Sequence, residues 1–244
     1  MSALSDPRTM HHHVVTVDGR HLAYVCGCVN EIDPACGALR SVSKCDDHLR
    51  ERSEAAELGE AYYRSNGALD RDAPARYTAE LAEALGMFPS PRWPHLEALE
   101  IGCGASPYVL ALQRAGWAYR GMDTFAWARR WLKARHGVCT IAADFETWEP
   151  DCQPGLILAA HVFEHTADAP AAIRKCAKML APGGDLWLIV PNDDDPLNPD
   201  HLWYFDEQSL GSVVAGAGLR IVTLSTFQRI ERERFLYLRA IKPQ

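Results

Sequence analysis

Two apolar patterns alternate along the second half of the chain. Short apolar runs at 98–101, 119–122, 138–143, 156–160, 185–190, 219–224 and 235–241 have the length of buried strands. Between most of them, inward positions recur at helical spacing: Val109, Leu110 and Leu112; Ala128, Trp131, Leu132 and Arg135; Ile173, Ala177 and Leu180; Leu210, Val213, Val214 and Ala217. The punctuation fits. Ser106 as N-cap with Pro107 first in the helix, Thr124, Pro170 and Asp206 read as helix starts, and Gly116 and Gly218 as stops. Strand and helix in strict turn predict a mostly parallel sheet covered by helices on both faces. The last two strands have no helix between them, only the charged 228–234 connection, so they must pair antiparallel.

The first half is patterned differently. Runs 14–17 and 21–25 flank Asp18-Gly19, a pair that favours a type I′ turn, which predicts a hairpin. Beyond it lie Cys26, Cys28, Cys36, Cys45 and His48, interleaved with Gly27, Pro34 and Gly37. Cysteine and histidine are the ligands tetrahedral zinc takes, so Cys26, Cys28, Cys36 and either Cys45 or His48 form a candidate structural zinc set. The Cys-x-Cys spacing and the split second pair leave a cysteine-rich loop of reduced thiols as the alternative. Two helices are expected over 46–63 and from Asp72-Ala73-Pro74 to Gly86, the latter with Tyr77, Leu81 and Leu85 on one face. The proline-rich stretch 88–94 reads as a linker. This divides the chain into a hairpin and cysteine-rich segment (1–48), a helical cap and linker (49–94) and a main domain (95–244).

Composition narrows the function. With 48% hydrophobic and 23% charged residues the chain can bury a proper core. A net charge of −7 disfavours extended nucleic-acid or anionic-membrane surfaces. No apolar run nears the roughly 20 residues that span a bilayer, and no secretory leader is visible, so a cytoplasmic location with reduced thiols is expected.

The most informative stretch is 96–108, LEALEIGCGASPY. A buried strand breaks into Gly102-Cys103-Gly104, where glycines permit positive φ and close backbone approach, before a helix begins. Such a unit can carry a nucleotide-like ligand. Ser106 stands where the three-glycine fingerprint has its last glycine, so a ligand-free βα turn is the competing reading.

Over about 96–243 the order of motifs resembles the class I S-adenosylmethionine-dependent methyltransferases. The resemblance rests on LEIGCGAS, Met122-Asp123, AADF at 142–145, LAAHVFEH at 158–165, LAPGGDLWLIVPN at 180–192 and AGLRIV at 217–222. The 201–222 stretch resembles the subgroup acting on small molecules. It implies a Rossmann-like α/β fold with a seven-stranded, mostly parallel sheet and an antiparallel last strand. It also implies S-adenosyl-L-methionine as cofactor and a small-molecule methyl acceptor as partner. By position, the backbone of Gly102, Cys103 and Gly104 would approach the amino-acid portion of the cofactor, with Glu100 either ordering the turn or meeting the ammonium through water, and Asp123, with Thr124 beside it, would take the ribose diol. Asp144 would accept from the adenine amino group, with Phe145 donating through its backbone and covering the ring, and His161 would contact the methionine end. A carboxylate accepts two hydrogen bonds, which suits a diol.

Methyl transfer from a sulfonium is an in-line displacement that mainly needs alignment and a desolvated nucleophile. A general base helps a hydroxyl or ammonium acceptor, and His165 and His201 are the candidates, with a turn-stabilising role as the alternative. Trp203, Tyr204 and Phe205 either line an acceptor pocket or anchor a helix start. Asp193–Asp195 either attract a cation or are simply solvated. Two rivals share parts of this pattern: a nucleotide-dependent oxidoreductase, and a non-catalytic zinc-containing interaction module with a vestigial cofactor site. A nucleic-acid amino-methyltransferase fits poorly, because Ala-His-Val-Phe-Glu-His stands where an Asp/Asn-Pro-Pro-aromatic motif is expected.

Overall fold

A computed structural model describes residues 13–17, 20–25, 28–34, 36, 38–43, 88–92, 94–192, 201–230 and 233–244. Strands β1 (His13–Val17), β2 (Arg20–Val25), β3 (Cys28–Ile32) and β4 (Leu39–Ser43) form an antiparallel meander. The predicted hairpin is its first half, with His13 opposite Tyr24 and Val17 opposite Arg20. The second half is a correction, since strands β3 and β4 occupy part of what reads in sequence as a cysteine-rich loop. The expected helices at 46–63 and 72–85 lie outside the described residues.

The larger sheet holds β5 (Glu97–Ile101), β6 (Ala118–Met122), β7 (Thr140–Ile141), β8 (Leu156–Ala160), β9 (Asp185–Pro191), β11 (Arg220–Ile230) and β12 (Glu233–Ile241). Their spatial order is β11-β12-β9-β8-β5-β6-β7. β5 to β9 run parallel, and β12 alone is antiparallel to its neighbours on both sides. The remaining short strand, β10 (Trp203–Tyr204), leaves this sheet and pairs with β4 as the fifth strand of the front one.

Strand alternation sorts the apolar residues into two cores. Leu99, Ile101, Ile157, Ala159, Leu186 and Leu188 face one, where α3 (Ala169–Met179) and α4 (Glu207–Gly216) pack. Ala98, Leu156, Leu158 and Trp187 face the other, covered by α1 (Val109–Arg114) and α2 (Ala126–His136). The stretch that reads as a linker is fastened to this second core. Phe88 is buried against Trp187 at 4.7 Å, and Trp117 Nε1 donates to Pro89 O at 2.7 Å.

Helix starts separate two kinds of polar residue. Asp206 caps α4 as its position predicts: its side chain accepts from Ser209 N at 2.7 Å, and Ser209 Oγ accepts from Asp206 N at 3.0 Å. α3 is capped by Asp168, slightly ahead of the expected start, with Pro170 in its first turn. Ser106 Oγ accepts from Tyr108 N at 3.1 Å while donating to the buried Glu100 carboxyl, and α1 itself begins slightly later, at Val109. Thr124 does not cap: α2 begins at Ala126, and the amide before it is bonded by Asp123 instead. The expected 138–143 strand shrinks to the two residues of β7, because the chain turns at Asp144 with Trp148 N donating to Asp144 O.

These placements predict that Asp206→Ala costs about 1 kcal/mol, a fall in Tm of roughly 2–4 °C for a chain of this size. Thr124→Ala leaves Tm within about 1 °C, the range of an uncoupled surface change. Thermal melts of the two variants check both.

Candidate active site

The loops that end β5, β6, β7 and β8 all emerge at one edge of the sheet, since those strands are parallel. That edge carries every residue expected to meet the cofactor. Gly102 and Gly104 have φ of +62° and +48°, left-handed values that a Cβ would strain. A side chain at Gly102 would also strike Val162, whose Cγ2 stands 2.5 Å from the Cβ position. Cys103 between them points inward, buried beside Tyr119, its thiol pushed up by burial, while its N–H donates to Met122 O at 3.0 Å. Only backbone therefore faces outward along this turn.

Two carboxyls hold the turn from behind. Asp123 is buried, and each of its oxygens takes a backbone N–H at 2.7 Å, Oδ2 from Gly104 and Oδ1 from Phe125. Glu100 is fully enclosed, and its Oε2 accepts from Ser106 Oγ at 2.5 Å and Tyr119 Oη at 2.6 Å. Burial raises its pKa to about 8, against the lowering effect of those two donors. Glu100 thus carries its proton at neutral pH and orders the turn from inside. Thr124 is exposed, and its carbonyl accepts from Arg129 Nη1 at 2.8 Å.

Asp144 stands apart from this pair. It is exposed on the turn after β7, with Oδ1 accepting from Glu146 N at 2.9 Å. Phe145 turns its ring into the core, 6.1 Å from Phe163, with the Lys175 ammonium 4.9 Å above it. Lys175 Nζ also donates to the carbonyls of Phe145 and Trp148, pinning this turn to α3. Nothing in the local sequence marks Lys175, because its partners lie nearly thirty residues back.

After β8 the backbone of His161 takes φ +56°, uncommon for a non-glycine residue and frequent at functional sites. A 3-10 turn, Phe163–His165, comes next. The segment from 201 onward is bound onto it: Leu202 N donates to Glu164 O at 2.6 Å, and Trp203 Nε1 to Thr166 O at 3.0 Å. His165 and His201 are thereby brought together, ring centroids 5.1 Å apart. Beside them lies Glu164, a residue whose role is not evident from sequence, with 1% of its surface exposed. His161 Nδ1 and His165 Nε2 stand 3.4 Å and 3.8 Å from its Oε1. Burial pushes the Glu164 pKa up, but the two imidazoles outweigh it and hold the carboxyl below its ordinary value. Trp203, Tyr204 and Phe205 are all buried, so they anchor this segment.

Of the candidate zinc ligands, Cys26, Cys45 and His48 lie outside the described residues, as do Asp193–Asp195, and Cys28 opens β3. Cys36 is buried within the main core, and its thiol donates to Asp33 Oδ1 at 3.4 Å. Burial raises its pKa to about 11. A cavity of about 170 Å³ lies at the opposite edge of the sheet, beside Arg92, His95, Gly183 and Gln244, away from all these groups.

Because the fold raises the Glu100 pKa above its ordinary value, its contribution to stability is full at acid pH and is lost as pH rises from about 4.5 through about 8. Glu100→Gln removes that dependence. The wild-type chain is expected to lose stability relative to the variant across this window, measured by denaturant titration. A difference that stays flat would refute the buried, protonated carboxyl.

A family model described as "Methyltransferase domain" matches residues 69–224, well over half of the chain. A ubiquinone biosynthesis O-methyltransferase from Chelativorans is 32% identical over 103 residues, 40% of this chain and 41% of the relative. The chain spans less than half the length of the curated relatives it matches. Among solved structures, the Burkholderia thailandensis 1,6-didemethyltoxoflavin-N1-methyltransferase, with bound 1,6-didemethyltoxoflavin and S-adenosylhomocysteine, superposes with a TM-score of 0.60 at 14% identity, over 91% of this chain and 99% of that one. The N-methyltransferase NodS from Bradyrhizobium japonicum, with S-adenosylhomocysteine, gives 0.55 at 22% identity over 72% and 91%. At these identities the structures speak for the fold, and the sequence match over 69–224 for descent. No helix among the described residues is long and apolar enough to cross a membrane. Its profile match, its sheet order and its glycine turn agree, and the chain belongs to the methyltransferase-domain family.

Proposed function

We propose that this chain transfers a methyl group from S-adenosylmethionine to an oxygen, nitrogen or carbon nucleophile of a small molecule. The single observation that carries the reading is the glycine turn after β5, held at positive φ with only backbone facing outward and tied to Asp123. Such a turn suits the close approach of an amino-acid moiety. Each Asp123 oxygen keeps one acceptor direction beyond the amide it already binds, which suits a ribose diol. Asp144 and the backbone of Phe145 lie on the next loop of the same edge, where the adenine would rest. Val162 abuts the turn from the loop after β8, and His161 just before it would lie beside the reactive end of the cofactor. Displacement at a sulfonium methyl is carried by alignment and exclusion of water.

A structural zinc on the front cysteines is a separate part of the proposal. It is supported by the closeness of Cys26, Cys28, Cys36 and Cys45 in sequence.

S-adenosylhomocysteine at about 100 times its Kd is expected to stabilise the chain by about 2.7 kcal/mol, which raises Tm by roughly 5–10 °C, whereas NAD leaves it unchanged. The reverse pattern would favour the oxidoreductase reading, and no response to either would favour a vestigial site. Asp123→Ala is expected to weaken S-adenosylhomocysteine binding about tenfold or more in calorimetry, the loss of a charge-assisted hydrogen bond or two. Unchanged affinity would remove the ribose contact.

A further inference from the structure

Glu164 presents a physical problem that the methyl-transfer reading leaves unsolved. Both of its carboxylate oxygens are buried without a hydrogen bond of good geometry, the nearest donors being His161 Nδ1 at 3.4 Å and His165 Nε2 at 3.8 Å from Oε1. An enclosed carboxylate held only by imidazoles at that range is poorly compensated for its lost water, yet the fold goes to some length to build this one. The turn that carries it starts from a left-handed histidine, and a segment nearly forty residues downstream is tied across it. What that segment delivers is His201, itself 7% exposed.

We infer that Glu164, His165 and His201 form a binding site for a first-row divalent transition-metal ion. One ligand atom from each, a carboxylate oxygen and two imidazole nitrogens, lies within 4.8 Å of the other two. Metal–ligand bonds of about 2.0–2.2 Å place neighbouring ligand atoms some 3–4 Å apart. The half-exposed His165 side chain can swing that distance, while Glu164 and His201 stay fixed by packing. Two neutral imidazoles with one carboxylate suit Zn²⁺, Mn²⁺, Fe²⁺, Co²⁺ or Ni²⁺, whereas Mg²⁺ and Ca²⁺ prefer an all-oxygen shell. Three protein ligands leave coordination positions open, so the ion can take a further oxygen or nitrogen ligand from outside. Glu164 lies two residues beyond Val162, the side chain that abuts the glycine turn, so the ion would be held by the same loop that borders that turn.

The binding itself is independent of methyl transfer and is read without turnover. Co²⁺ titrated into the full chain, cleared of metal by chelator, is the probe. Imidazole and carboxylate ligands give visible d–d bands, whereas cysteine ligands add an intense sulfur-to-cobalt charge-transfer band. The front cysteines would therefore declare themselves separately. The expected result is a saturable set of d–d bands, separate from any charge-transfer band the front cysteines add, weakened about tenfold or more in Glu164→Gln and in His201→Ala. His165→Asn, a change on a half-exposed side chain that leaves the core untouched, is expected to weaken it likewise. Zn²⁺ should displace Co²⁺ at stoichiometric amounts, and Mg²⁺ in large excess should not. The inference is overturned if wild-type chain gives no d–d bands, if affinity is the same in His165→Asn as in wild type, or if Mg²⁺ displaces Co²⁺ readily. S-adenosylhomocysteine binding measured on the same samples keeps this outcome distinct from failure of the methyltransferase reading.

Discussion

Asp123 joins three pieces of backbone that would otherwise be independent. It ends β6, and its two oxygens bond the amide inside the glycine turn after β5 and the amide that precedes α2. Hydrogen bonds from backbone amides to a buried carboxylate are charge-assisted and shorter than neutral ones. They fix where the turn stands relative to the neighbouring strand, and so the spacing between two loops of the binding edge. Glu100 supports the same turn from the interior with a neutral carboxyl, so the two acids do not repel as two buried anions would. The arrangement depends on that division: one carboxyl facing amides, the other protonated and facing hydroxyls.

Most of the sheet can be read from the chain because its strands are buried on both faces and its crossovers are short. β8 falls where its apolar run does, and the antiparallel closure of β11 and β12 follows from having no helix to cross with. Helix starts are harder to read, for a specific reason. Ser106 obeys the local rule to the extent that its oxygen accepts from Tyr108 N, whereas Thr124 fails it because the rule cannot see a stronger acceptor next door, Asp123. Asp206, with no such competitor, caps as expected. The front sheet is obscured by its cysteines, which suggest ligands where β3 and β4 also supply strand backbone.

The binding edge is legible where function needs backbone, and opaque where it needs burial. Gly102 and Gly104 announce themselves, since few residues tolerate their conformation. Glu164 sits in plain view within His-Val-Phe-Glu-His, yet its character comes from Leu202 and Trp203 closing over it. No periodicity links positions so far apart. Lys175 is similar: a cation on a helix becomes a clamp only because the 145–148 turn folds beneath it.

The two-residue strand β10 belongs to the front sheet by its hydrogen bonds and to the main domain by its flanks, His201 on one side and the α4 cap on the other. That edge is not the whole attachment, because Cys36 and Ala38, just ahead of β4, are buried in the same core as Trp203 and Phe205, and the Arg40 guanidinium lies 5.8 Å over the Trp203 ring. The front strands therefore share an interior with the residues that flank His201, so a substitution at Ala38 reaches the histidine end of the binding edge through packing alone.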